Sequence, residues 1–267
     1  TSEIRRVFMA GNRKKFEVPE QKENGVRINK FLGDAGVCSR READKLILQG
    51  RVTVNGSVAD TGMQVDESMT VCVNGKPVHG KNEKVVLAYY KPIGVTCTEK
   101  DCFADKKITD VVKFPVRVTY AGRLDKDSEG LLLLTNDGDL IDSMMRGSNH
   151  HEKEYIVKVH KEITDEFIAQ MSQGVYLEEL KIQTRPCKVE QIGKFTFRII
   201  LTQGVNRQIR RMAETLNFKV TAIKRIRVVN IKLEKLQVGQ YRQILGEELA
   251  ELYRLCGSKT QRTKERN

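Results

Sequence analysis

Apolar and polar positions alternate differently in two stretches of the chain. In residues 26–75 the signals are local and closely spaced. Ser39-Arg40-Arg41-Glu42 has the form of a helix capping box, a serine able to cap with a glutamate three positions later. Ala43, Leu46 and Ile47 follow at helical spacing, and Gly50 marks the stop. Val52-Thr53-Val54 alternates as a strand does, and Asn55-Gly56 is a hairpin turn signal. Val71-Cys72-Val73 with Asn74-Gly75 repeats that strand-then-turn pattern. With a short helix near Asn29 to Ala35, these elements predict a small α+β module.

From Val85 to about Gly257 the pattern is strand-rich. Strand signals cover Val85 to Tyr90, Val116 to Ala121, Gly130 to Thr135, Glu154 to Val159, Phe195 to Leu201 and Lys219 to Ile231. Helical periodicity fits Thr164 to Gln173, Asn206 to Leu216 and Glu247 to Leu255. Runs of strands with helices between them predict a larger mixed, mainly antiparallel α+β domain. The expected organisation is a basic arm over 1–25, the small module over 26–75, a linker over 76–84, the larger domain over 85–257 and a basic tail over 258–267.

Composition narrows the class. Hydrophobic residues make up 39% of the 267, enough for packed cores, and no apolar run nears the ~20 residues of a membrane span. The charged N-terminus lacks a secretory pattern, so a cytosolic setting is expected. Forty-seven Lys and Arg against 35 Asp and Glu give +12, a balance that suits a polyanionic partner. The six cysteines form no CxxC pair and the four histidines no metal spacing, so free thiols and no metal are expected.

Four segments could carry chemistry. Lys91-Pro92-Ile93-Gly94 follows a strand and reads as a sharp turn, with Lys91 by itself a bystander. Gly122-Arg123-Leu124-Asp125-Lys126-Asp127-Ser128-Glu129-Gly130 is a charged loop between two strands, the kind of place where a rigid scaffold presents reactive groups. Asp125 there could act as a nucleophile or as a general acid or base, or the loop could be a plain acidic turn. Gly204-Val205-Asn206-Arg207-Gln208-Ile209-Arg210-Arg211-Met212 opens a helix whose apolar face is Ile209, Met212, Ala213 and Leu216. Arg210 borders that face and is placed for a half-buried ion pair, with Asp125 the natural partner. Arg207 and Arg211 point away, toward solvent or phosphates. Residues 205–232 hold eight Lys or Arg and one Glu, and Lys224-Arg225-Ile226-Arg227 interleaves charge with apolar residues, half toward the core and half toward a groove. Tyr155 opens a strand and could be core or could stack on a base.

The loop Gly122-Arg123-Leu124-Asp125 and the following Gly130 to Gly138 resemble the catalytic motif of the RsuA-type pseudouridine synthases. Lys91-Pro92-Ile93-Gly94 is similar to their first motif and Gly204 to Met212 to their last. The 26–75 module, with Cys38-Ser39-Arg40-Arg41-Glu42-Ala43, resembles the S-four-like RNA-binding fold. His151-Glu152-Lys153-Glu154-Tyr155 and Lys126-Asp127-Ser128 are similar to the RluF branch, which acts on large-subunit ribosomal RNA. The resemblance spans about residues 26–255. It implies a monomeric isomerase that converts uridine to pseudouridine in ribosomal RNA, with transfer RNA a possible second partner and no cofactor. It implies Asp125 as the catalytic aspartate, Arg210 as its ion-pair partner and Tyr155 as the residue stacking on the target base. Arg123 would help hold the flipped nucleotide or fill the gap it leaves, and Arg207, Arg211, Arg40, Arg41 and Lys91 would contact RNA. Two rival classes, an RNA-binding assembly factor and a DNA-binding regulator, lack a reason for Asp125, Tyr155 and Arg210 to occur together.

Overall fold

The computed structural model describes residues 25–79, 82–98 and 107–257. The expected arm and tail and Cys102 lie outside them, apart from Gly25. The chain divides into two compact units, one ending at Gly80 and one beginning at Lys81.

The smaller unit is built as its local signals require. Ser39 caps the Arg40–Leu48 helix, its hydroxyl accepting a hydrogen bond from the Glu42 amide at 3.2 Å. The preceding helix, Ile28–Asp34, packs Ile28 and Leu32 against Ala43 and Ile47. Asn55-Gly56 and Asn74-Gly75 both adopt positive φ at their two central positions, the turn geometry that suits a twisted hairpin. Val52–Val54 pairs with Ser57–Val58 and with Val71–Val73, which in turn pairs with Lys76–Pro77. Lys76 and Pro77, assigned to a linker from their polarity, therefore form the closing edge strand of this unit; a proline is tolerated at such an edge because its missing N–H faces no partner.

The larger unit is organised by one nine-stranded sheet. Its path runs Lys188–Gly193, Thr196–Leu201, Lys153–Val159, Val220–Val228, Glu129–Thr135, Val86–Lys91, Tyr241–Gln243. Every neighbouring pair on that path is antiparallel except Val220–Val228 with Glu129–Thr135. The run Leu131 to Leu134 is buried throughout because both faces of the sheet are covered. Leu131 and Leu133 pack under the helices Gly138–Met145 and Gly246–Cys256, while Leu132 and Leu134 face Val95, Cys97, Ile108 and Leu124. A second core forms where Asp165–Gln173 and Gln208–Thr215 cover Val157, Phe197, Ile199 and Ile223.

The strands Lys188–Gly193 and Tyr241–Gln243 were not among the expected elements, and two further elements depart from the sequence reading. The expected strand Lys219 to Ile231 ends at Val228 and turns through Val229 (φ 55°) into a short return strand, Ile231–Lys232. The Gly138–Met145 helix had no counterpart among the expected elements. Its signal is Asp137, whose buried carboxylate accepts from the amides of Asp139 and Leu140 ahead of Leu140 and Met144. Among the described residues, Cys38, Cys72, Cys97, Cys187 and Cys256 form no disulfide, and no helix is long and apolar enough to cross a membrane.

Candidate active site

The charged loop is held from below. The Ser128 amide donates to the Asp125 carbonyl at 3.1 Å, closing a tight turn around Lys126 and Asp127. The Gly94 amide donates to the Lys126 carbonyl at 2.8 Å and so ties the Lys91–Gly94 turn to the loop. Lys91 completes the tie. Its side chain is fully buried, and Nζ donates to the carbonyls of Pro92 and Ser128, both at 2.8 Å. Burial pushes its ammonium down to about 8, with Arg225 adding to the effect while Cys97, Asp125 and Asp127 oppose it. The expectation that Lys91 touches RNA is therefore corrected: a buried ammonium committed to two backbone carbonyls fixes the loop and reaches no phosphate.

The arginine helix approaches from the opposite side. Arg207 sits in the left-handed region (φ 51°) immediately before the Gln208–Thr215 helix, a strained conformation of the kind found at functional sites. Ile209, Met212 and Ala213 bury the apolar face as expected. The ion pairs are arranged differently from the expectation. Arg207 grips Asp127 with two hydrogen bonds of 3.1 and 3.0 Å, and its Nη1 lies 3.8 Å from Asp125 Oδ2. Arg210 is the half-buried arginine, but its partner is Asp127: Nη2 is 3.2 Å from Oδ2 and donates to the Asp127 carbonyl at 3.0 Å, while Nη1 donates to the Val220 carbonyl at 3.2 Å. The partner of Asp125 is therefore Arg207. Helical periodicity could place Arg210 but could not place Arg207, because the left-handed residue turns the chain before the helix starts. Burial would raise the Asp127 carboxyl. The Arg207 hydrogen bond and the Arg210 and Arg207 charges outweigh that and hold it below the usual carboxylate value. Arg211 is paired with Glu179 and donates to the Asn206 carbonyl at 3.1 Å, so in this structure it is occupied within the protein.

A cavity of about 180 Å³ opens between the loop and the arginine helix, lined by Arg123, Asp125, Tyr155, Arg207, Ile223 and Arg225 among others. Asp125 is half-exposed at this cavity and Arg123 is exposed at it. Tyr155 is half-buried between two cores, packing partly against each, which orients its ring at the cavity wall. The structure thus brings Asp125, Tyr155, Arg123 and Arg207 to one place. Arg40 and Arg41 belong to the other unit, exposed on the first turn of its capped helix.

Arg225 and Lys153 also line this cavity and were not singled out from the sequence. The signal for Arg225 was present in the alternation of Lys224-Arg225-Ile226-Arg227, which places one arginine toward the core. Its position depends on the parallel junction, where Arg225 pairs with Gly130. Gly130 has φ 114°, and a Cβ there would stand 2.3 Å from the Arg225 carbonyl oxygen, so only glycine permits the approach.

Residues 85–215 match the family described as RNA pseudouridylate synthase, and residues 26–71 match the S4 domain. A dual-specificity RNA pseudouridine synthase RluF of Salmonella typhi is 43% identical over 244 residues, covering 91% of this chain and 83% of its own. The chain belongs to the RsuA-type RNA pseudouridine synthases. A ribosomal large subunit pseudouridine synthase B of Bacillus subtilis is 38% identical over 238 residues, covering 86% of this synthase and 96% of its own length. A solved structure described as a pseudouridylate synthase superposes with a TM-score of 0.63 at 27% identity, covering 85% of this chain and 99% of that one. This synthase is accordingly an RNA-directed isomerase, an S4 domain followed by a mainly antiparallel catalytic domain.

Proposed function

We propose that this pseudouridine synthase isomerises a specific uridine in 23S large-subunit ribosomal RNA, with Asp125 as the catalytic residue. The observation that carries the assignment is the position of Asp125: a half-exposed carboxylate on a stapled loop, at one cavity with Tyr155 and two arginines. A uridine in paired RNA leaves its stack at a cost of a few kcal/mol and enters the cavity. Arg123, exposed at the rim, holds the flipped nucleotide, and Tyr155 stacks on the base. Arg207 lies close enough to Asp125 to orient it. Asp125 then acts at the sugar, by attack on C1′ or by removing the 2′ proton, as the bond between C1′ and N1 breaks. The uracil turns while trapped against Tyr155, a bond forms between C1′ and C5 as Asp125 leaves C1′ or its proton returns to C2′, and the proton lost from C5 is matched by one taken up at N1. Atoms and charge are conserved, so the chemistry calls for no cofactor, and one chain acting as a monomer in the cytosol suffices.

The large-subunit assignment rests on the named activity of the Bacillus subtilis relative and on the likeness to the RluF proteins. Transfer RNA, left open by the sequence as a second partner, is the RNA to test beside it. The test is Asp125→Asn, which keeps shape and removes the reacting carboxylate. Pseudouridine mapping by chemical labelling should find the target uridine unmodified in cells carrying only this variant, while RNA binding in vitro stays near normal. Substantial pseudouridine formation by Asp125→Asn would end the assignment.

A further inference from the structure

Two cations of the cavity wall, Arg225 and Lys153, have no carboxylate partner among the described residues. Arg225 is 2% exposed, the largest fully buried side chain among the described residues. Its Nε donates to the Leu131 carbonyl at 2.7 Å and its Nη1 to the Arg123 carbonyl at 3.2 Å, and Nη2 is buried with no partner. Lys153, half-buried in the same wall, donates only to the His151 carbonyl at 3.3 Å. Among the described residues neither has an ion pair. Burial and then the Arg225 charge push the Lys153 ammonium down, which places the two cations within electrostatic reach of each other. Elsewhere the protein pairs its partly buried arginines with carboxylates, as Arg227 does with Glu152 and Glu154 and Arg242 with Glu248. A buried cation left with neutral acceptors and a spare donor is costly, and such cost concentrates where charge develops during a reaction.

We infer that Arg225, supported by Lys153, stabilises the departing uracil as its anion through the free Nη2 donor. The inference rests on the functional reading above. When the bond between C1′ and N1 breaks, its electron pair goes to N1 and spreads over the O2 and O4 carbonyls, while C1′ is taken up by Asp125 or becomes a double-bonded carbon by loss of the 2′ proton. The negative charge exists only between that cleavage and formation of the C1′–C5 bond with loss of the C5 proton. Donors fixed in advance at such a place favour the transition state over bound uridine. Arg225 also holds the Arg123 carbonyl, two residues from Asp125, so a purely positioning role must be separated from charge stabilisation.

A better leaving group separates them. Single-turnover loss of the C1′–N1 bond, a step common to both substrates since 5-fluorouridine has no C5 proton to release, is measured for wild type, Arg225→Gln, Arg225→Lys and Lys153→Met on two versions of one ribosomal RNA fragment, carrying uridine or 5-fluorouridine at the target. Fluorine stabilises the uracil anion without help from the protein. Arg225→Gln is expected to slow the uridine substrate ~10²–10³-fold, the range for losing one preorganised donor, and the fluorinated one less than about tenfold. Arg225→Lys should recover part of the uridine rate. Equal slowing on both substrates would show that Arg225 only positions the loop and would overturn the inference. Circular dichroism checks folding. If Arg225→Gln does not fold, Lys153→Met carries the same comparison: greater slowing on uridine supports the inference, and equal slowing on both overturns it. A wild type that leaves uridine unconverted overturns the functional reading and this inference with it, whereas an active wild type with equally slowed variants overturns the inference alone.

Discussion

Arg207 and Arg210 are three positions apart and meet on one carboxylate, yet they do different work. Arg207, rather than Arg210, reaches Asp125, at 3.8 Å, and it is well exposed, so its removal changes the field at the proposed reacting group more than the packing. Arg207→Ala should lower the single-turnover rate at least tenfold with little change in melting temperature. Arg210 is largely buried and holds both the Asp127 carboxylate and two backbone carbonyls. Arg210→Ala should mainly destabilise, by about 1–3 kcal/mol for the acceptors left unpaired. A thermal melt with a single-turnover assay on both variants separates the two; identical behaviour would contradict the geometry. Lys91 offers a test by pH. Its folded value near 8 lies below the ordinary 10.5, so between those two pH values the unfolded chain holds a proton that the folded chain has released. Stability attributable to this group therefore rises with pH across that window. Denaturant midpoints of wild type should gain on those of Lys91→Met from pH 8 to pH 10.5, and a constant difference would show that Lys91 is not buried as a depressed base.

At the scale of elements, the site depends on one junction. The Val220–Val228 and Glu129–Thr135 strands meet in parallel only at Lys224–Glu129 and Arg225–Gly130. This short contact joins the half of the sheet carrying the arginine helix to the half carrying the Asp125 loop. Gly130→Ala puts a Cβ into the Arg225 backbone at a positive φ, so both strain and clash act there. The expected loss is about 1–3 kcal/mol of stability with a larger loss of activity, since the cavity wall and the loop move apart. Denaturant unfolding and a turnover assay on the same preparation check it, and a variant of normal activity would show that the junction tolerates displacement.

At the scale of the molecule, the two units are expected to divide the labour between affinity and chemistry. The S4 unit presents Arg40 and Arg41 on an exposed helix start, and the cavity with Asp125 and Tyr155 belongs wholly to the other unit. Each phosphate contact removed should lower the slope of log affinity against log salt by ~0.7–0.9. The double variant Arg40→Ala with Arg41→Ala should flatten that slope and raise the apparent KM, with the rate at saturating RNA little changed. Salt-dependent binding and single-turnover kinetics on a ribosomal RNA fragment measure both, and normal binding with slow reaction would place these arginines in the chemistry instead.

What the sequence by itself determined is what near neighbours in the chain control. The Ser39 cap, the two Asn-Gly hairpins, the Gly130 to Thr135 strand and the apolar face of the arginine helix all follow from spacing within a few residues, and the order of three motifs sufficed for the family and for proposing Asp125. Tertiary structure decided the rest. Lys91 reads as an exposed turn lysine until the Ser128 carbonyl, 37 residues on, folds over it. The choice of Arg207 over Arg210 as the partner of Asp125 turns on one left-handed residue and on contacts across 80 and more positions. Arg225 becomes part of the cavity only when a distant glycine lets its strand approach. These are long-range pairings, and a charge pattern along the chain cannot state which distant backbone will be there to meet it.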